Sequence, residues 1–234
     1  MRILAPTAVY LTTLLFSTFA HAAYDQNRAG AVLKAPEDDS FTSVTGTFTV
    51  PQLSGANKLS IWVAIGDTLQ QDVVLKGGVH YAADSTLSSF VSWYPGNDTD
   101  ITSEVPVAAG DTITVTVSVP AADKSTGTVV VENTTQGGAQ SSQTVPVPES
   151  VDPAALTSLA ADWFVQAYQE AGELVQVPEF GTVAFTAAGA TLASGEEIGT
   201  TGAGTFEIQG TSGQIYSATT VEENGVTVTQ SSPI

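Results

Sequence analysis

The stretch "FTSVTGTFTVP", Phe41 to Pro51, decides the fold class because two kinds of residue alternate along it. One kind is apolar or small and would fall on one side of an extended chain: Val44, Gly46, Phe48 and Val50. Threonines occupy the positions between them. A period of two with β-branched residues is typical of a strand that buries one face. We therefore expect a β-strand here.

The same alternation returns further along the chain. It is found in "GDTITVTVSVP" (Gly110–Pro120), "STGTVVVENTT" (Ser125–Thr135) and "GTVAFTAAGATL" (Gly181–Leu192). Turn residues separate these runs at short intervals, and we find no exact internal repeat and no long linker. This organisation predicts an all-β protein, an antiparallel β-sandwich.

One segment, "DPAALTSLAADWFVQAYQEAG" (Asp152–Gly172), has a different period. Asp152 is a candidate N-cap, and Pro153 suits the first helical position. Apolar residues then recur at helical spacing: Leu156, Leu159, Ala160, Trp163 and Ala167. The local pattern predicts a helix, and a short first-turn helix followed by a strand is the alternative, since tertiary context overrides propensity.

The N-terminus has the three parts of a secretory signal peptide. Arg2 is followed by the apolar run Ala8–Ala20 and by the small-residue cleavage pattern "AHA". We expect residues 1–23 to be removed, residues 24–234 to form one domain, and the protein to be secreted and extracellular. A membrane anchor at the start is the alternative, and no later apolar run is long enough to span a bilayer.

Composition excludes several functions. The formal charge is −18, with 6 Lys and Arg against 24 Asp and Glu, so nucleic acid and anionic membranes are not expected partners. The chain has no cysteine, which excludes thiol catalysis and thiolate metal sites. Without disulfides, the fold must be stabilised by its core, which this chain length permits.

Motifs exclude further chemistry. His80 is the only histidine after the signal peptide, so a multi-histidine zinc site is impossible. No G-x-S-x-G elbow occurs, which argues against a Ser-His-Asp hydrolase. We expect no metal and no cofactor. Asn97 and Asn133 begin N-glycosylation sequons in turn-like stretches and are predicted glycosylation sites.

Seven stretches, in order along nearly the whole chain after the signal peptide, resemble the glutamic peptidases, the eqolisin or peptidase G1 family of fungal acid proteases. They are "NRAGAVL" (Asn27–Leu33), "FTSVTGTFTVP", "WVAIG" (Trp62–Gly66), "SWYP" (Ser92–Pro95), "VENTT" (Val131–Thr135), "ADWFVQ" (Ala161–Gln166) and "LVQVPEFGTVAFT" (Leu174–Thr186). The resemblance implies a concanavalin A-like β-sandwich of two curved, seven-stranded antiparallel sheets. It also implies a monomer that acts on polypeptides.

Members of the family hydrolyse peptide bonds with a glutamate and a glutamine. The glutamate is the general base for the attacking water, and the glutamine amide holds that water and stabilises the oxyanion. Matching the family from Trp62 to Pro95 without a gap places the glutamine at Lys76. The glutamate corresponds to Asp162 in "ADWFVQ". The resemblance therefore makes Lys76 and Asp162 the candidate catalytic residues.

Other positions also depart from the family pattern. Two carboxylates of the family become Gly66 and Ser92, an acidic residue after the glutamine becomes His80, and Arg28 replaces a tryptophan. Several aromatic residues are retained, and we predict that three of them bind substrate: Trp62, Trp93 and Tyr94. The alternative for these rings is an ordinary place in the core.

The two catalytic substitutions change the electrostatics of the site. Asp162 is one methylene shorter than glutamate, roughly 1.5 Å of reach, and a misplacement of about 1 Å can reduce a rate by about 10²-fold. An ion pair with Lys76 would lower the pKa of Asp162 and engage the base. Three hypotheses remain: an acid endopeptidase using Asp162 as base and Lys76 as electrophile, a catalytically degenerate member that binds peptide in the groove, and a glycan-binding or wall-associated module.

Overall fold

The structure is a computed structural model that describes residues 22–54, 58–67, 72–174 and 176–233. The predicted signal peptide lies almost entirely outside the described residues. The strands, in chain order, are β1 (Ala23–Asp25), β2 (Arg28–Lys34), β3 (Phe41–Thr49), β4 (Leu59–Gly66), β5 (Val74–Tyr81), β6 (Leu87–Tyr94), β7 (Asp98–Asp100), β8 (Thr112–Ser118), β9 (Thr126–Asn133), β10 (Ala139–Pro146), β11 (Ala160–Ala167), β12 (Gln169–Glu170), β13 (Glu173–Leu174), β14 (Thr182–Leu192), β15 (Glu197–Gly199), β16 (Gly204–Ile208), β17 (Ser217–Glu222) and β18 (Gly225–Gln230).

Sixteen of the described strands form two eight-stranded sheets, which confirms the predicted β-sandwich, and β12 and β13 form a separate two-stranded sheet. The first sheet has the order β1-β16-β2-β11-β4-β5-β6-β7, and the second has the order β10-β9-β8-β3-β14-β18-β17 with β15 paired to β14. Pairing is antiparallel apart from β1 with β16. Each sheet therefore has one strand more than the resemblance implied, and each includes strands of only three residues, such as β7 and β15.

The alternation in β3 is confirmed. Val44, Gly46 and Phe48 are buried, and the residues between them are partly exposed. On the exposed face, hydroxyl groups pair across β3 and β8: Ser43 with Ser118 at 3.3 Å, Thr45 with Thr116 at 3.1 Å and Thr47 with Thr114 at 2.8 Å. We call this surface the hydroxyl face.

The first sheet buries apolar residues on both of its faces. Its inner face packs on the second sheet and includes Val63, Leu75 and Trp163 in the main core. Its outer face has a separate buried cluster: Val32, Trp62, Ala64, Val74, Phe90, Ala160 and Phe164, with Phe206 packed against them. A strand that is buried on both faces shows no clear period of two, and β11, the central strand of this sheet, is such a strand.

The helix predicted from Asp152 is wrong, and the alternative is correct. Asp152 does cap a helix, accepting a hydrogen bond from the Ala154 N–H at 2.9 Å, but this 3-10 helix spans only Pro153–Ala155. The chain then enters β11, whose side chains are nearly all buried. Contacts on both faces of the sheet outweigh the helical spacing of its apolar residues.

No helix in the described ranges is both long and apolar enough to cross a membrane.

Candidate active site

The two candidate catalytic residues lie in one row on the outer face of the first sheet. Asp162 on β11 pairs with Ala64 on β4, and Ala64 pairs with Lys76 on β5. The row continues through Ser92 on β6 to Asp98 on β7. Directly paired residues share a face, so Lys76 and Asp162 face the same way about two strand spacings, roughly 10 Å, apart.

Lys76 is half-buried, and its ammonium lies over two aromatic rings of the next row. The Nζ atom is 5.3 Å from the centre of the Trp62 ring and 5.9 Å from that of Phe90. Gly78 is paired with both of these residues and stands between them. Since Gly78 has no side chain, the lysine can extend over it, which explains the order of residues in "LKGG".

Burial lowers the pKa of Lys76, because the ammonium loses hydration. The carboxylate of Asp98 acts in the opposite direction and the guanidinium of Arg28 in the same direction. Two charged neighbours, Asp98 and Arg28, therefore influence the pKa of Lys76.

Asp162 is completely buried, with no exposed surface. Its Oδ2 atom would be only 3.3 Å from a Cβ placed on Gly66, so its carboxyl group lies against that glycine. Burial raises the pKa of Asp162 well above its usual range; Arg28 opposes this shift and Asp67 adds to it.

The charged groups of Lys76 and Asp162 thus lean toward opposite ends of their strands. Within the described ranges, the ion pairs shorter than 4.0 Å join Arg28 to Asp25 and His80 to Asp98, and neither involves Lys76. The predicted ion pair between Lys76 and Asp162 is not formed. The prediction that this ion pair lowers the pKa of Asp162 is therefore wrong as well, because burial raises that pKa.

A chain of hydrogen bonds leads to Asp98 from the interior. Ser60 Oγ is 2.9 Å from the Tyr168 hydroxyl and 2.6 Å from His80 Nδ1, and His80 Nε2 is 2.9 Å from Asp98 Oδ2. Both ring nitrogens of His80 are therefore engaged in hydrogen bonds. His80 also stacks on Phe90, with ring centres 3.6 Å apart.

This series of hydrogen bonds has the residue types of a Ser-His-Asp triad but not its geometry. Ser60 is 2 % exposed, so its hydroxyl has no access to a substrate. The hydrogen bonds instead fix the position of the Asp98 carboxylate. Although burial raises the pKa of Asp98, the hydrogen bond from His80 and the charge of Lys76 outweigh it, and the net shift is downward. The Ser92 hydroxyl also lies close enough to lower it, without the geometry of a full hydrogen bond.

Arg28 brings a second positive charge to this face. Its guanidinium bonds to Asp25 Oδ2 at 2.7 and 3.1 Å and lies 5.4 Å from the centre of the Phe164 ring. Phe164 is in turn 5.0 Å from Trp62, centre to centre. Two cations therefore lie over two adjacent rings.

A cavity of about 240 Å³ opens beside these rings. Its walls contain Asn27, Arg28, Trp62, Asp72, Val74, Lys76, Tyr94 and Gln166. Three of the predicted site residues are present: Lys76, Trp62 and Tyr94. Asp162 is absent from the walls. The Trp62 indole N–H donates to Gln166 Oε1 at 2.9 Å, which fixes one wall.

Trp93, the remaining predicted substrate-binding residue, lies elsewhere. It is 2 % exposed and belongs to the core between the sheets. Neighbouring residues of a strand face opposite sides, so Trp93 faces inward while Tyr94 and Ser92 face outward. The prediction that Trp93 lines the groove is corrected by the structure.

The two sequons differ in exposure. Asn97 is exposed beside β7. Asn133 is fully buried, and its Nδ2 donates to the Pro106 carbonyl at 2.7 Å and to Asp111 Oδ2 at 2.8 Å. The folded chain has no space for a sugar on that nitrogen, so the predicted site at Asn133 is incompatible with this structure.

Sequence reasoning did not include Arg28, Gln166, Asp98 or His80 among the site residues. Arg28 carried a signal, since it is one of only 6 basic residues. The contribution of Asp98 depends on strand pairing, which its local sequence does not reveal. In the described part of the chain, no cluster of three or more His, Asp or Glu side chains is arranged to hold a metal ion.

Comparison with known proteins gives concordant results. The model of the peptidase A4 family matches residues 26–230. Aspergillopepsin-2 from Aspergillus niger is 32 % identical over 231 residues, which cover 88 % of this chain and 78 % of that protein.

Solved structures share the fold. Aspergilloglutamic peptidase from Aspergillus niger has a TM-score of 0.64 at 30 % identity, over 74 % of this chain and 99 % of that one. Scytalido-glutamic peptidase, solved with a transition state analog inhibitor, has a TM-score of 0.75 at 24 % identity, over 88 % of this chain and 98 % of that one. At that identity the second match bears on the fold alone.

Proposed function

The chain belongs to the peptidase A4 family, the glutamic peptidases, and from this premise we propose that it is a secreted, monomeric, peptide-binding protein that lacks the hydrolytic activity of its relatives. Its predicted parts are a signal peptide at residues 1–23 and one domain at residues 24–234. The ligand is a polypeptide segment bound at the cavity of the first sheet.

The observation that carries the proposal is the burial of Asp162. A general base must lie within hydrogen-bond reach of the water it activates. Asp162 has no exposed surface and is not part of the cavity wall. Its raised pKa also favours the protonated form in acid, and a protonated carboxyl group cannot accept a proton from water.

The cavity supports the binding part of the proposal. Trp62, Tyr94 and Lys76 line the cavity, and hydrogen bonding to Gln166 fixes the Trp62 ring. A cavity of about 240 Å³ is below the roughly 300–1,000 Å³ of pockets that enclose a whole small ligand. It suits one side chain of a longer ligand. Trp62 is only 2 % exposed, which leaves little ring face for stacking on a sugar and disfavours the glycan-binding alternative.

An acid endopeptidase is the second candidate, and one observation favours it. Lys76 and Asp162 occupy one row of the sheet, with only Ala64 between them. In that case Lys76 would stabilise the oxyanion and Asp162 would activate water.

The test is to incubate the purified secreted protein with a denatured protein substrate between pH 2 and pH 5, and to measure peptide binding separately. We expect binding without cleavage products. Cleavage that disappears in Asp162→Ala would establish the endopeptidase instead.

A matched pair of variants locates the binding site. Trp62→Phe removes the indole N–H that holds Gln166, so we expect it to weaken peptide binding severalfold. Trp93→Phe is the control, because Trp93 lies in the core and its Nε1 makes no hydrogen bond with a described residue. Equal effects of the two substitutions on affinity would place the peptide elsewhere.

A further inference from the structure

Positive charge is scarce in this chain and is concentrated at the cavity. Of the 6 Lys and Arg residues, against 24 Asp and Glu, two line the same cavity: Arg28 and Lys76. Lys34 is exposed at the end of β2, and Lys124 is bonded to the Thr157 carbonyl at 2.8 Å. This acidic protein therefore places two of its few cations on the wall of one small cavity.

The two cations lie over adjacent aromatic rings. Lys76 Nζ is 5.3 Å from the Trp62 ring centre, the Arg28 guanidinium is 5.4 Å from that of Phe164, and the two rings are 5.0 Å apart. Both cations also belong to the cavity wall. The cations are close enough for the charge of Arg28 to lower the pKa of Lys76.

Three carboxylates lie near the two cations, and none of them contacts Lys76. Asp25 is bonded to Arg28, Asp98 faces Lys76 from β7 and is bonded to His80, and Asp72 lies on the cavity wall. No carboxylate of the described residues lies within 4.0 Å of Lys76 Nζ. The ammonium therefore keeps its hydrogen-bond donors for a ligand.

Gln166 supplies a further donor. Its Oε1 accepts from Trp62, which assigns the Nε2 group to the other side of the amide. That Nε2 group makes no hydrogen bond with a described residue, and Gln166 is part of the cavity wall.

We infer that this cavity binds a carboxylate, carried by an aspartate or glutamate side chain of the bound peptide, between Lys76 and Arg28. The inference rests on the proposed peptide-binding function and names the ligand class at the same site. Ammonium and guanidinium groups form the stronger, charge-assisted hydrogen bonds with carboxylates, and the cavity volume suits one such side chain. The same chemistry would accept the carboxylate of a peptide C-terminus, so the experiment separates the two sources.

The experiment measures the affinity of three matched hexapeptides for the purified protein at pH 6, where a free glutamate is ionised. The first is acetylated and amidated with one central Glu. The second has Gln at that position, and the third is the Gln peptide with a free C-terminus. We expect the Glu peptide to bind about tenfold more tightly than the blocked Gln peptide, in the range for one charge-assisted contact. If the third peptide, and not the Glu peptide, binds more tightly than the blocked Gln peptide, the side-chain assignment is overturned and the C-terminal carboxylate is the ligand.

Variants test the residues. Lys76→Gln and, separately, Arg28→Gln should each reduce the Glu-to-Gln affinity ratio toward one. Lys124→Gln makes the same change in net charge away from the cavity and should keep the ratio. A ratio that survives both cavity substitutions would overturn the inference, provided that thermal melts show both variants folded.

The outcomes for the two proposals differ. Equal binding of all three peptides to the wild-type protein would refute the carboxylate site and leave peptide binding intact. No binding of any of them would refute the proposed function, and the carboxylate site with it.

Discussion

Lys76 and Asp162 share a row of the first sheet, separated only by Ala64, but the lysine extends toward Trp62 while the aspartate lies against Gly66. A base and an electrophile that diverge in this way cannot hold one water between them. If Lys76 and Asp162 are the counterparts of the family dyad, as the sequence predicts, the dyad differs in geometry as well as in residue type.

Restoring the family residues should restore catalysis in part. In Lys76→Gln with Asp162→Glu, the longer carboxylate regains about 1.5 Å of reach and the neutral amide is no longer attracted to Asp98. We expect the double variant to cleave a denatured substrate at pH 2–5, at a rate at least about tenfold above the background measured with the inactive wild type. The single substitutions should give less. A folded double variant without any gain would show that the dyad is not what limits activity.

Asp162 should make stability depend on pH. Burial raises its folded-state pKa above the roughly 3.9 of an unfolded aspartate. The folded protein therefore binds the extra proton between these two values. The associated stability is fully present below about pH 4 and is lost as the pH rises through the folded-state pKa.

Asp162→Asn has no such proton to lose. The Tm of this variant minus the Tm of the wild type should therefore increase from pH 3 to pH 7. Each kcal/mol of unfolding free energy that the wild type loses should change this difference by roughly 2–4 °C at this chain length. Calorimetry at several pH values measures this, with Glu149→Gln, an exposed position, as the control. Parallel pH curves for wild type and Asp162→Asn would contradict the prediction.

Gly78 should tolerate no side chain. A Cβ there would lie 2.0 Å from the Ile61 carbonyl oxygen and 2.8 Å from the Trp62 Cα, both backbone atoms that cannot move independently. We expect Gly78→Ala to lower the free energy of unfolding by about 3 kcal/mol, the upper range for overpacking. Urea unfolding tests this.

The matched control is Gly204→Ala on β16 of the same sheet, where the nearest atom would be the Val32 carbonyl oxygen at 3.9 Å. It should be tolerated. Similar losses in the two variants would show that strand entropy, rather than close backbone approach, sets the cost.

Glycan mapping should separate the two sequons. In protein secreted from a eukaryotic host, we expect a sugar on exposed Asn97 and none on Asn133, whose side-chain nitrogen is bonded to Pro106 and Asp111. Mass spectrometry of glycopeptides distinguishes the sites. A folded protein with a glycan at Asn133 would contradict the described position of this residue.

Sequence patterns predicted the fold wherever a strand buries one face. In Phe41–Thr49, polar and apolar residues alternate because one face meets the core and the other meets water. In Ala160–Ala167 both faces are buried, so alternation disappears and the apolar spacing imitates a helix. The error comes from the environment of the strand, which its own residues do not encode.

The assignment of Lys76 and Asp162 to the site stays a prediction from the family pattern. Strand pairing puts the two residues in one row of the sheet. The direction in which each side chain leans depends on residues of other strands: Gly66 beside Asp162, and Trp62 beside Lys76. The position of Trp93 could not be predicted either, because the register between β5 and β6 decides which side of the sheet its ring faces.

The hydroxyl face of the second sheet bears on behaviour in acid. Near pH 4.1, the isoelectric point, protonation removes most of the net charge that keeps copies of the chain apart. Serine and threonine hydroxyls do not titrate in this range, so the face that includes Thr45 and Thr116 stays hydrated as the carboxylates become neutral. The protein can therefore remain dispersed at a pH where a surface covered by carboxylates would lose its protection against precipitation.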